Sequence, residues 1–194
     1  MIKPLAALDD RTLLTRVAAR DGRAFEALYQ RYYGRLFSYL LRLTRRADLV
    51  EEAVNDVFFV IWQSAARFDG RSQPSSWILG IAYRKGLKAL SRLPAQAPRD
   101  LSGALEVEEE PAAGPESRAL EREKARQLGR ALASLTPEHR AVVELTFYEG
   151  CSYREISDIV GCPVNTVKTR MFHARRRLRQ LLDGLGLAER ESTG

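Results

Sequence analysis

In the first ninety residues apolar side chains recur every three or four positions and nowhere alternate with period two. Leu13, Leu14 and Val17 fall at helical spacing behind the acidic start of residues 9–20, and Asp21-Gly22 interrupts the run. Residues 23–43 carry Phe25, Leu28, Tyr29, Tyr32, Leu36, Tyr39, Leu40 and Leu43 in the same rhythm. A third run starts near Ala47 and ends near Phe68, with Val50, Val54, Val57, Phe58, Ile61 and Trp62 as its apolar positions. Asp69-Gly70 ends it, a polar loop (RSQPSS) follows, and a fourth run extends from Trp77 to Leu93. Stripes of this kind must be buried helix on helix, so an all-α bundle is expected over residues 10–93.

The next stretch breaks the rhythm. From Pro94 to Pro115 the chain is rich in Pro, Ala, Gly and Glu and has no sustained apolar period, which reads as a flexible acidic linker over 94–117. A second helical domain is expected over 118–183, followed by a C-terminal tail, 184–194. Its first helix carries Leu120, Leu128, Leu132 and Leu135 on one side. Thr136-Pro137 then suits the start of another, because threonine caps and proline fits the first turn. That helix stops at Gly150.

Charge sharpens this division. Residues 1–100 hold 17 Lys/Arg against 10 Asp/Glu, residues 101–123 hold 2 against 7, and residues 124–194 hold 12 against 8. With a net charge of +6, two basic blocks flank an acidic segment, and a polyanionic partner is favoured. No apolar run approaches the roughly 20 residues that cross a bilayer, and the N-terminus lacks a signal-peptide core. A soluble cytoplasmic protein without membrane insertion is expected. Cys151 and Cys162 have neither a CxxC neighbour nor a histidine at ligand spacing, and read as small half-buried thiols in a reducing compartment.

Residues 152–182 have the pattern of a helix-turn-helix. Ser152 followed by Glu155 is a capping box, Ile156, Ile159 and Val160 give the first helix an inner face, and Gly161 supplies the turn. Pro163 opens the second helix. Val164, Val167, Met171, Ala174 and Leu178 then lie within about 80° on a helical wheel, a core-facing stripe. The opposite side carries Asn165, Thr166, Thr169, His173, Arg176 and Arg177, flanked by Lys168, Arg170, Phe172, Arg175 and Arg179. Short polar side chains near the N-terminal end suit base edges, and the arginines beyond them suit phosphates. Phe172 fits either packing on the neighbouring helix or contact with thymine methyls. His173 has no companion that would make it a metal ligand.

The fourth helix gives a second nucleic-acid signal. It interleaves Trp77 and Tyr83 with Arg84, Lys85, Lys88 and Arg92, a pattern that suits single-stranded DNA, where bases stack and the backbone needs cations. Trp77 suits a core position as well as a base platform. The loop from Phe68 to Ser76, with Arg71 and Ser72, is of a kind that accepts a flipped base. The third helix instead clusters Glu51, Glu52, Asn55 and Asp56, a face fit for docking protein or for solvent and poor for DNA.

Taken together, DLVEEAVNDVFFVIWQSAARF, SSWILGIAYRKGLKAL and LTPEHRAVVELTFYEGCSYREISDIVGCPVNTVKTRMFHARRRL resemble the extracytoplasmic-function (ECF) sigma factors of the bacterial sigma-70 family. The resemblance covers residues 10–93 and 118–183. It implies region two in the first block and region four in the second. Glu52, Asn55 and Asp56, with Glu51 beside them, would dock on the β′ clamp helices of core RNA polymerase. Phe68, Arg71, Ser72, Trp77, Tyr83, Arg84, Lys85 and Lys88 would bind and melt the −10 element. The 163–179 helix would read the −35 element through Asn165, Thr166, Lys168, Thr169, Arg170, His173, Arg176 and Arg177, with the β flap meeting the outer surface of that domain. The linker would thread towards the RNA exit path, and an anti-sigma factor would hold the protein inactive. Many family members carry an asparagine seven residues after the tryptophan. Here that position is Arg84, which suits a phosphate or a guanine edge, so the −10 preference does not carry over.

Two other classes compete. A stand-alone helix-turn-helix regulator would bind duplex operators as a dimer. An enzyme would need a nucleophile with a base, a phosphate-cradling loop or a metal cluster, and the sequence offers none of them. No catalytic, metal or cofactor residue and no small-molecule substrate is therefore expected.

Overall fold

The computed structural model describes residues 5–93 and 126–183. The linker expected over 94–117, the first residues of the second block and the tail beyond 183 lie outside them. Every regular element among the described residues is helical. A short 3₁₀ turn (Leu5–Ala7) precedes α1 (Asp10–Ala18), α2 (Gly22–Thr44) and α3 (Ala47–Ser64). A 3₁₀ turn (Ala65–Arg67) leads on to α4 (Pro74–Ser91). In the second block, helical residues 126–133 (α5) are followed by α6 (Pro137–Phe147), α7 (Tyr153–Val160) and α8 (Val164–Asp183).

Local chemistry accounts for the breaks. Asp9 caps α1, accepting from the Thr12 amide at 2.8 Å, and Asp21 caps α2, accepting from the amides of Arg23 and Ala24. Between them the chain turns at Arg20, a left-handed residue (φ 65°) whose guanidinium donates to the Trp62 carbonyl at 2.9 Å. α2 ends the same way, at Arg45 (φ 55°). Several helix ends differ from the sequence reading: α6 stops at Phe147 rather than Gly150 and α4 at Ser91 rather than Leu93. α3 stops at Ser64, and the residues up to Arg67 tighten into the 3₁₀ turn. α4 begins at Pro74 rather than Trp77, because proline with its fixed φ takes the first turn and the Gln73 carbonyl accepts from the Trp77 amide.

α2, α3 and α4 pack around Leu36, Leu40, Val54, Val57, Ile61, Ile78 and Ala82, with α1 closing one end. Gly86 lets α4 lie tightly on α2: a Cβ there would stand 2.9 Å from side-chain methyls of Leu40 and Leu43. The second block does not stand apart from this core. α7 packs along α4 and α6 along α2, so buried side chains run without a break from Leu13 to Ala174. At the α4–α7 contact Gly80 faces the Ile159 carbonyl oxygen, and a Cβ there would lie 3.4 Å from it, at ordinary contact distance.

Polar groups cross the same junction. Arg42 of α2 donates to Glu144 at 2.6 Å and to Glu149 at 3.1 Å, and Arg35 donates to Glu149 at 2.6 Å. The Arg42 guanidinium also lies 4.4 Å from the centre of the Tyr148 ring. Arg140 is buried and donates to the carbonyls of Leu132, Ala133 and Leu135, closing the end of α5, and to that of Leu43 at 2.8 Å.

Candidate nucleic-acid interface

The helix-turn-helix is built as its sequence pattern predicts. The Ser152 hydroxyl accepts from the Glu155 amide, and the Glu155 carboxylate accepts from the Ser152 amide at 2.8 Å and from its hydroxyl at 2.7 Å. These bonds hold the Glu155 carboxyl below the usual range. Gly161 takes φ 69° and donates to the Ser157 carbonyl, while the Ser157 hydroxyl donates to the Cys162 carbonyl at 2.6 Å. The turn is pinned at both ends, and α8 leaves it with the Pro163 carbonyl accepting from Thr166 and Val167.

On α8, Val167, Met171 and Ala174 are buried and Val164 and Leu178 half-buried, so the apolar stripe is the core face. Asn165, Lys168, Thr169, His173, Arg176 and Arg177 are exposed and Thr166 is half-buried. The Thr169 hydroxyl donates back to the Asn165 carbonyl at 2.9 Å. With its proton so engaged, it faces outward as an acceptor and a methyl, suited to a base amino group or a thymine methyl. His173 is not solitary: its ring stacks with that of His139, 6.1 Å between centres. Burial, and then the His173 charge, pull the His139 pKa down. No cluster fit for a metal occurs among the described residues. Phe172 is exposed and meets the His173 ring edge-on, so packing on a neighbouring helix is not its role here. Arg170, expected with the outer set, is half-buried.

The eight residues expected at the −10 element fall into three groups. Phe68 and Trp77 form an aromatic pair at 5.6 Å, with the Arg11 guanidinium 5.6 Å over Phe68. Arg71 beside them is exposed, Ser72 is half-buried, and Asp69 orders the loop by accepting from the Arg71 amide and pairing with its guanidinium. Lys85 pairs with Asp56 at 2.7 Å and lines a groove between α3 and α4 with Lys88, Arg92 and Glu52. A −10 candidate and a polymerase candidate thus neutralise one another. Tyr83 forms the third group with Arg84. It is only 5% exposed, because α4 turns it towards the second block, and burial raises its pKa while Arg170 opposes the rise. Expected as a base-stacking platform, it is instead inaccessible in this arrangement. Arg84 is exposed, with its guanidinium close to Gly80.

On α3, Glu51, Glu52 and Asn55 are exposed and Asp56 half-exposed. The sequence reading missed Phe59, which is 58% exposed and lies one turn beyond Asn55 on the same face. Its neighbour Phe58 takes the core position, and the 100° step between them is the signal that separates the two rings. It also missed Arg140 and Glu144. Two opposite charges four residues apart, bracketing the apolar residues 141–143, were the available sign. Cys151 and Cys162 are half-buried and unbonded, and burial pushes the Cys151 thiol up to about 11, away from thiolate chemistry. Among the described residues no helix is long and apolar enough to cross a membrane.

Comparison with known proteins agrees with this anatomy. The family description "Sigma-70 region 2" matches residues 28–93, and "Sigma-70, region 4" matches residues 125–178. The ECF RNA polymerase sigma factor SigK of Mycolicibacterium vanbaalenii is 30% identical over 181 residues, covering 92% of each chain. SigK of Mycobacterium tuberculosis is 30% identical over 183 residues, covering 93% of this chain and 97% of that one. Among solved structures, CnrH in complex with the cytosolic domain of CnrY has the same fold, with a TM-score of 0.66 and 23% identity over 90% of this chain and 97% of that one. Sigma factor RpoE of Bartonella quintana, in complex with the anti-sigma factor NepR, aligns with a TM-score of 0.60 and 21% identity over 82% and 96%. With both regions matched and relatives aligned over nearly their whole length, the chain belongs to the sigma-70 family, as an ECF sigma factor.

Proposed function

We propose that this sigma factor carries core RNA polymerase to promoters whose −35 element it reads with α8 and whose melted −10 strand it captures with the loop and helix of residues 68–92. The observation that carries the reading is the division of α8: Asn165, Thr166 and Thr169 lie ahead of exposed Arg176 and Arg177, opposite a buried stripe. In this scheme the arginines hold the helix on phosphates and the short polar residues choose the bases. Stacking unpaired −10 bases on Phe68 and Trp77 lowers the barrier to strand opening, and no covalent chemistry is needed. Core polymerase docks through Glu51, Glu52, Asn55 and Asp56 on its β′ clamp helices, with the β flap on the second domain. Domain limits of 10–93 and 118–183 suit these tasks, and the protein works in the cytoplasm beside the polymerase. An anti-sigma partner is part of the proposal, since RpoE, which shares the fold, was solved in complex with the anti-sigma factor NepR.

Run-off transcription with core polymerase on a library of random promoters, followed by sequencing of the transcribed templates, tests this. Enrichment of one −35 and one −10 element only when the chain is added is the expected outcome. Unchanged transcription on adding it would remove the proposal. A two-fold symmetric footprint without polymerase would replace it by the dimeric regulator.

A further inference from the structure

The outer face of α8 carries an imidazole that is held in place from another helix. His173 is exposed, and its ring stacks on that of His139 of α6, 6.1 Å between centres and 29° from parallel. The Phe172 ring meets it edge-on at 5.5 Å. An exposed side chain in mid-helix samples several rotamers, and two ring contacts narrow that choice. His139 is itself anchored. It is half-buried, and its amide donates at 3.3 Å to the Thr136 hydroxyl that caps α6. The next residue, Arg140, is fixed by its bonds to four carbonyls. The platform under His173 is thus a bonded turn outside the helix-turn-helix.

We propose that His139 is a positioning residue for the −35 element: it holds the His173 ring as a donor to DNA, and the pair takes up one proton, on His173, when the promoter binds. This rests on α8 being the −35 helix, and adds to it a residue outside the helix-turn-helix and a proton in the binding step.

The two helices decide where the proton goes. His139 lies in the first turn of α6, where free amides and the helix dipole disfavour a cation. Burial and then the His173 charge pull its pKa down, with Glu138 opposing the fall and Arg170 adding to it. Two adjacent imidazolium rings repel, so the pair carries one proton rather than two. His173 lies in mid-α8, in solvent, one turn from half-buried Arg170 and from exposed Arg176 and Arg177. A proton there joins the cations that meet phosphate. On α7, the other helix packed against α8, Glu155 is tied to Ser152, and Arg154 and Asp158 are exposed. Once charged, His173 donates through both ring nitrogens, which suits a phosphate oxygen or the O6 and N7 acceptors of guanine.

Promoter binding by holoenzyme at about pH 7.5 and about pH 6 tests this. The probes are a duplex bearing the −35 element that the random library selects, and the same duplex with that element scrambled. Comparison with His173→Gln on each duplex removes the pH response of core polymerase. Relative to that variant, wild type should gain about fivefold in affinity on going to the lower pH. His139→Ala should lose most of the gain, and His139→Phe, which stacks without titrating, should recover it. A gain confined to the selected element assigns the contact to a base, and an equal gain on both duplexes assigns it to phosphate. The same pH response in wild type and His173→Gln would overturn the proton uptake. Binding by His139→Ala that is unchanged, or weaker by one factor at both pH values, would overturn the positioning role, because a merely structural loss leaves the pH profile alone. Should His139→Ala lose its helical signal in circular dichroism, His139→Phe decides, and absence of the gain there overturns the role of the stack. Equal affinity of wild-type holoenzyme for the selected and scrambled elements at both pH values would instead remove the −35 reading of α8, and this proposal with it.

Discussion

The two helices that carry DNA-binding residues meet different fates. α8 keeps its polar face in solvent, apart from half-buried Thr166 and Arg170, and buries its apolar stripe, whereas α4 surrenders Tyr83 to the interior and Lys85 to Asp56. Both have a cationic, partly aromatic sequence, so composition does not separate them. The difference lies in what packs against each. α8 is supported by α6 and α7 of its own block along one stripe, while α4 is wrapped by α2 and α3 on one side and by α7 on another. A recognition helix on the rim can be complete before it meets DNA, whereas one inside a junction becomes complete only when the junction changes.

Arg140→Ala breaks this contrast most deeply. It leaves the carbonyls of Leu132, Ala133, Leu135 and Leu43 without the guanidinium they share, and should lower stability by about 3 kcal/mol, measured as a shift in urea midpoint. The change should also loosen the cover on α4, seen as faster amide exchange around Tyr83. Asn165→Ala and Thr169→Val sharpen the contrast from the other side. Each should change the preferred −35 sequence by roughly 1–3 kcal/mol per lost base contact, read by competition binding of holoenzyme. Equal loss on every sequence would show that these side chains do not read bases. Phe59→Ala removes an exposed ring amid the acidic face of α3 and should weaken binding to core polymerase by about 1–2 kcal/mol, with the melting temperature unchanged. Arg176→Ala should weaken binding on all sequences and reduce the salt slope by about one unit.

The smallest effect concerns the cap of α7. Ser152→Ala should cost about 1 kcal/mol. Because the Ser152 hydroxyl and then its amide hold the Glu155 carboxyl below its usual 4.5, the stabilisation is present above that value and lost as pH falls through the lowered one. Acid titration of thermal stability should therefore be shallower in the variant below pH 4.5. An unchanged acid limb would place the pH dependence elsewhere.

Much of the second block was legible from sequence because its signals are local. The Ser152–Glu155 box, the left-handed Gly161 and the stripe from Val164 to Leu178 each lie within one or two helical turns, and each behaves as read. Helix ends were less legible where two local signals compete, as at Pro74, where the proline start precedes the first large apolar residue. The partners of Arg42 and Arg35 were not legible at all. They lie 102 and 114 residues away, and no periodicity connects positions so distant.

The amino-acid order by itself determined an all-α chain, where its helices break, the inward and outward faces of α8, and the family to which the motifs point. Those follow from hydrogen bonds and side-chain spacing within a few residues. Only the tertiary structure decided that the two blocks share one core, that Phe59 faces solvent while Tyr83 does not, and that Glu144 and Glu149 close on α2. These outcomes depend on which faces meet, and close packing with buried charge selects among faces that one-dimensional patterns leave equivalent.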